Sequence, residues 1–156
     1  MNTNKKNGFT LIELIIVMVI LGIMAAVAVP RYLDSISNAE EAAEDAVISA
    51  IRSGLKQYAN NKLYEDGRAY WPYNPFDALA EKPAGYSPSD CTDGVVPGSI
   101  ANEDGEWTFY NNGASLVISH QRGDNSRYEW RYDQGISGGG DMDFVGTLGD
   151  REKVTQ

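Results

Sequence analysis

One cysteine and one histidine are all that the 156 residues contain. Cys91 alone cannot form an intrachain disulfide. With His120 alone, a histidine-rich metal centre is excluded, and a Ser-His-Asp arrangement would rest wholly on that residue. Walker, zinc-ligand and nucleophile-elbow patterns are missing. Cys91 lies between Asp90 and Asp93, surroundings that disfavour a thiolate. Positive charge is scarce too, with 13 basic residues against 22 acidic. Setting aside Lys5, Lys6 and Glu13, the chain beyond Val29 keeps 11 and 21, a net charge of −10. Such a surface repels nucleic acid and anionic lipid headgroups, so nucleic acid is not an expected partner. No catalytic constellation emerges, and the chain does not read as an enzyme.

What is present begins at Phe9. From there to Val29 run 21 residues in which only Thr10 and Glu13 are overtly polar. At about 1.5 Å per residue, a helix of that length spans about 30 Å, the thickness of a bilayer's hydrocarbon core. Lys5 and Lys6 favour a cytoplasmic leader, with the bulk of the chain crossing the membrane. A secretory signal ending at Ala26-Val27-Ala28, or a plain single-span anchor, would fit the apolar run but leaves Glu13 without purpose. A carboxylate inside such a segment costs several kcal/mol unless it has a partner. The alternative role for Glu13 is to snorkel from near the helix end to the interface.

Gly8-Phe9-Thr10-Leu11-Ile12-Glu13-Leu14, with the apolar run and Pro30-Arg31-Tyr32 behind it, resembles the class III leader of type IV pilins and type II secretion pseudopilins. The resemblance implies that a prepilin peptidase cuts between Gly8 and Phe9 and methylates the new amino terminus, making Phe9 N-methylphenylalanine. Asn7 stands where many members carry Lys or Arg. Cleavage would leave a cationic amine on Phe9 and an anionic carboxylate on Glu13. In a bundle of such helices, the amine of one subunit can neutralise Glu13 of a neighbour, and a paired charge is tolerable where either alone is not. The pair would set axial register while the apolar side chains pack without direction.

Pro30 cannot donate to the Ala26 carbonyl, so a kink or loosening is expected there. Gly22 lowers helix propensity in the same run. The resemblance implies that the Gly22-to-Pro30 segment can melt on assembly. Beyond Pro30 the helical period resumes: Ile36, Ala39, Ala43, Val47, Ala50, Ile51, Leu55 and Tyr58 form a stripe. Glu40, Glu41, Glu44, Asp45, Arg52 and Lys56 take most of the other positions, and Asn60-Asn61 is a candidate stop. Residues 63–105 are irregular, with five prolines, yet Tyr70, Trp71, Tyr73 and Phe76 predict that they pack, with a helical turn over Asp77–Glu81. The period then changes to two. Trp107-Thr108-Phe109, Leu116/Ile118/His120 and Tyr128/Trp130/Tyr132 predict three antiparallel strands, with Asn111-Asn112-Gly113 as a hairpin turn. Their aromatic face should meet the helix stripe and their charged face solvent. Gly135 to Gly149 holds six glycines and reads as a loop. The resemblance adds that relatives order this region with a cysteine pair, which this chain lacks, or with calcium. Asp141, Asp143 and Asp150 offer hard oxygen ligands, but their spacing matches no EF-hand and a solvated acidic loop explains them; no cofactor is expected.

The expected fold class is α+β: a long N-terminal helix, transmembrane in its first half, with a C-terminal antiparallel meander packed on its second half. The segments are a cleaved leader at 1–8, a transmembrane and filament-core helix at 9–29, an amphipathic half at 30–62, a connection at 63–105, the meander at 106–134 and a tail at 135–156. The expected function is that of a type IV pilus-like filament subunit, with a type II secretion pseudopilin as the alternative. Its partners would be further copies of itself, the prepilin peptidase and an inner-membrane assembly platform. The chain would sit in the inner membrane before assembly and in an extracellular fibre, or a periplasmic pseudopilus, afterwards.

Overall fold

The computed structural model describes residues 9–88, 100–111, 115–135 and 146–154. The α+β reading holds: helix α1 (Leu11–Asp66) precedes an antiparallel sheet of strands β1 (Trp107–Asn111), β2 (Leu116–Gln121), β3 (Arg127–Asp133), β4 (Thr147–Leu148) and β5 (Glu152–Val154). The chain divides into two compact units between Ala43 and Glu44, and α1 passes from one into the other.

The first unit is helical from Leu11 onward. Pro30 lies inside α1 and the helical residues continue through it, so the missing N–H does not break the element. Side chains from Phe9 to Ala39 are exposed.

In the second unit, the sheet unit, α1 turns a stripe of Glu44, Ile48, Ile51, Leu55 and Ala59 inward. This corrects the stripe expected from periodicity. Ile36, Ala39, Ala43 and Ala50 stay exposed, and Glu44, assigned to the polar face, is fully buried. The helix also runs past Asn60-Asn61 to Asp66. Lys62 pairs with Glu65 at 2.8 Å and Asp66 at 4.0 Å and lies over the rings of Tyr58 and Tyr70, which supports the extra turn. The stop comes at Gly67, whose φ of +66° is the left-handed conformation that ends helices at low cost for glycine.

Beyond the helix, the connection packs as its aromatics predict. Phe76 is fully buried and Trp71 and Tyr73 lie against the core. The helical turn sits at Pro75–Ala78, slightly ahead of the expected Asp77–Glu81. Proline early in the turn and Asn74 as its cap explain the placement: Asn74 Oδ1 accepts from the Phe76 N–H at 3.0 Å. This turn presses on α1 at Gly54, where an added Cβ would meet the Ala78 carbonyl oxygen at 2.6 Å. Gly54→Ala is therefore expected to lower stability by about 1–3 kcal/mol despite its gain in helix propensity. A lower urea midpoint with unchanged far-ultraviolet helicity would register this; an unchanged or higher midpoint would contradict it.

Strands β1, β2 and β3 form the expected meander, in the register Phe109↔Ile118 and Ile118↔Trp130. The hairpin turn read at Asn111-Asn112-Gly113 falls largely outside the described residues. The aromatic face packs on the helix stripe: Ile48, Ile51 and Leu55 share one core with Phe76, Trp107, Phe109, Ile118, Trp130 and Tyr132. Trp107 and Trp130 stack at 5.7 Å between ring centroids. The opposite face departs from the expectation of open solvent, because Thr108, Tyr110, Val117, Ser119 and Gln121 are all buried. One cause is visible. Tyr110 Oη on β1 donates to Glu129 Oε1 on β3 at 2.8 Å, so two long side chains meet over the central strand.

The tail contributes two more strands, β4 within the Gly135-to-Gly149 stretch read as a loop and β5 beyond it. β4 pairs with Tyr132 and Asp133 of β3, and β5 pairs with Arg127, Tyr128 and Glu129. Two- and three-residue strands leave too little pattern to be read from sequence among so many glycines.

Candidate functional site

The residues singled out from sequence fall in two places. At the start of α1, Thr10 and Glu13 form a reciprocal cap. The Thr10 amide donates to Glu13 Oε2 at 2.8 Å, the Thr10 hydroxyl donates to the same oxygen at 2.6 Å, and the Glu13 amide donates to Thr10 Oγ1 at 3.3 Å. This is a capping box, which satisfies helix N–H groups that have no intrahelical acceptor. Thr10-Leu11-Ile12-Glu13 carries its sequence signature, which the reading of Glu13 as an intersubunit charge passed over. Both bonds to the carboxylate use Oε2, and among the described residues no cation reaches Glu13.

Around that cap the surface is oily. No large apolar side chain between Phe9 and Leu33 is less than 46% exposed. Leaving so many in water forfeits several tens of kcal/mol, at roughly 1.5–3 kcal/mol for each side chain. By length and composition, α1 is long and apolar enough to cross a membrane. At Gly22 an added Cβ would meet nothing within 4 Å, so packing inside the chain does not require glycine there. Gly8 lies outside the described residues, as do Cys91, Asp141 and Asp143. Asp150 is described and exposed. Among the described residues, no group of three or more His, Cys, Asp or Glu side chains is placed to hold a metal ion.

The second place was not anticipated. Glu44 is fully buried at the start of the sheet unit's share of α1 and is gripped by three residues. Arg122 donates from Nε to Oε1 at 2.7 Å and from Nη2 to Oε2 at 2.6 Å, a two-pronged contact. His120 Nδ1 lies 2.9 Å from Oε1, and Arg151 Nη1 donates to Oε2 at 3.2 Å. The local sequence explains how Arg122 arrives there. It follows β2 directly and opens a tight turn, in which its N–H donates to the Ser126 carbonyl and Asn125 adopts a φ of 63°. Its guanidinium lies 4.0 Å from the centre of the Tyr128 ring, and the His120 ring stacks on Trp107 at 4.2 Å. Burial, the largest single influence, pushes the Glu44 carboxyl up. Hydrogen bonds from Arg122 and His120, with the field of both, together outweigh it and leave the group lowered from 4.5 to about 2. Glu44 is therefore an anion under all ordinary conditions. His120, read as a packed or rim histidine, is buried as such, but its carboxylate partner went unseen.

Comparison with known proteins adds to this geometry at the N-terminal end. Residues 3–29 match the family model described as the prokaryotic N-terminal methylation motif. The type IV narrow pilus major component of Thermus thermophilus is 53% identical over 49 residues, covering 31% of this chain and 42% of that protein. A type IV major pilin of Neisseria gonorrhoeae is 39% identical over 90 residues, 58% of this chain and 48% of its own length. The type II secretion system core protein G of Pseudomonas aeruginosa is 35% identical over 86 residues, 54% of this chain and 57% of its own. The chain thus spans about half the length of the curated relatives it matches. No solved structure is significantly similar to it. The leader motif and these relatives thus make the chain similar to type IV pilins and to a type II secretion pseudopilin, over part of its length.

Proposed function

We propose that the chain is a structural subunit whose activity is ordered polymerisation into a type IV pilus-like filament. The carrying observation is the exposed stretch from Phe9 to Val29, apolar but for Thr10 and one acid, Glu13, at its start. Such a rod needs an apolar environment, first a bilayer and then a bundle of its own copies. Cutting after Gly8 by a prepilin peptidase would create a cationic amine on Phe9, whose side chain is 84% exposed. Glu13 Oε1, which takes no part in the Thr10 cap, is the acceptor that such an amine on a neighbouring subunit would meet. Methylation leaves the amine charged, so the pair survives the modification. Gly22 and Pro30 would supply the flexibility that assembly needs. The chain would wait in the inner membrane, pass to an assembly platform there, and enter a fibre whose outer surface is the acidic sheet unit.

A second reading is a type II secretion pseudopilin, which would form a short periplasmic fibre. Its support is the 35% identity to a type II core protein G. A pilin is expected in the fraction sheared from the cell surface, and a pseudopilin stays cell-associated.

Mass analysis of the native protein's amino terminus tests both. The expected species begins at Phe9 with one added methyl group. A chain that retains Met1, or begins at Val29, would refute the filament reading in either form.

A further inference from the structure

The segment from Gly146 to Val154 reaches the rest of the sheet through very little backbone. β4 and β5 contribute five paired residues, and the Gly146 and Gly149 amides donate to the Asp133 and Arg131 carbonyls at 2.6 and 2.8 Å. Strands that short are marginal by themselves. Two arginines tie the same segment to α1 from opposite sides. Arg52 of α1 donates from Nη2 to the Leu148 carbonyl at 3.4 Å and to the Gly149 carbonyl at 3.2 Å. Arg151 of the segment reaches back to α1, to Glu44 Oε2 at 3.2 Å, and lies 3.9 Å from Asp45 Oδ1. Between them Leu148 enters the core, 8% exposed. These contacts join residues 96, 97 and 107 positions apart in the chain. With a single cysteine, the chain has no intrachain covalent means of closing that loop.

We infer that Arg52 and Arg151 form a crossed arginine strap that holds the C-terminal segment on α1 and opens as a unit while β1, β2 and β3 stay folded. The two halves do different work. Arg52 donates to two backbone carbonyls of the segment. Arg151 shares a carboxylate that Arg122 already holds in place, so its acceptor is fixed before the segment arrives. Arg122 is 3% exposed and belongs to the permanent core, whereas the Arg151 side chain is 26% exposed and can leave without stranding a buried cation. Release of the strap uncovers the outer edge of β3. The inference goes beyond the filament reading and does not depend on it.

Hydrogen exchange with mass readout on the detergent-solubilised full chain tests the strap. In the double variant Arg52→Met with Arg151→Met, exchange of amides in 146–154 is expected to rise about thirtyfold, as for loss of hydrogen bonds to charged groups. Amides of β2, residues 116–121, should keep their wild-type rates. The comparison variant is Arg131→Met, which removes the exposed 3.5 Å pair with Glu152 of the same segment but touches no part of α1. It should exchange like the wild type. Unchanged protection of 146–154 in the double variant would overturn the inference. So would an equal rise in β2, which would mean global loosening, or an Arg131→Met effect as large as that of the double variant.

Discussion

Replacing Glu44 by glutamine is expected to remove about 3–5 kcal/mol from the stability of the sheet unit. The reason is a buried arginine that loses its carboxylate counter-charge, more than the lost pair itself. Arg122 is 3% exposed and would remain cationic in the core with a neutral amide in place of a carboxylate. A domain of this size has only about 5–15 kcal/mol to lose, so the urea midpoint should fall by a large fraction. The same substitution carries an acid signature. The Glu44 carboxyl sits at about 2 in the folded chain against an ordinary 4.5. Because the folded value is the lower one, the linked stability is complete above about pH 4.5. It drains away as the pH falls from there towards 2, and amounts to about 3 kcal/mol. The Glu44→Gln chain should therefore start weaker at pH 7 and show a much flatter decline below pH 5. Some slope will persist, since Asp124 is also held low by hydrogen bonds from Ser126. Parallel acid profiles for the two proteins would show that Glu44 is not the group responsible.

The second large effect concerns Glu13, and the capping box sharpens the choice of variant. Alanine removes both the cap, worth about 1 kcal/mol, and the charge. Glutamine keeps an acceptor for the Thr10 amide and hydroxyl, since capping boxes accept Glu or Gln, but it carries no charge. If Glu13 neutralises a neighbour's amine, both variants leave that amine unpaired in an apolar bundle. At a cost of about 3 kcal/mol or more per subunit contact, fibre yield should fall at least a hundredfold in each. Membrane insertion should be intact in both. The measurement is the amount of subunit in the sheared or fibre fraction relative to the membrane fraction. Glutamine chains that assemble like the wild type, beside alanine chains that do not, would assign Glu13 to helix capping alone.

The parts of the structure legible beforehand are those written in local pattern. An apolar run of bilayer length, a return to helical period after Pro30 and a switch to alternation at Trp107 are each carried by neighbouring residues, and each is a helix or a strand where it was read, although the buried faces differ. Glu44 shows where local pattern fails. A carboxylate among Glu40, Glu41 and Asp45 looks like one more member of a solvated face. What buries it is Arg122, 78 residues away at the end of a strand, and no periodicity within α1 reports that partner. The inward stripe runs through Glu44 and Ile48, while Ala43 and Ala50 stay exposed. The two-sided burial of β2 has a similar origin, since Thr108, Ser119 and Gln121 alternate like solvent-facing residues until Tyr110 and Glu129 join hands above them. At Glu13 the failure was of another kind: the local signal was there, in Thr10-x-x-Glu13, and a longer-range role drew the reading away from it.

The paired indoles have a practical corollary. Trp71, Trp107 and Trp130 are the chain's three tryptophans, and all belong to the sheet unit, with none in the apolar rod. Two of them stack nearly parallel in its interior, at 23° between planes. Ultraviolet emission and the near-ultraviolet dichroism of that pair thus give a label-free optical gauge of the sheet unit.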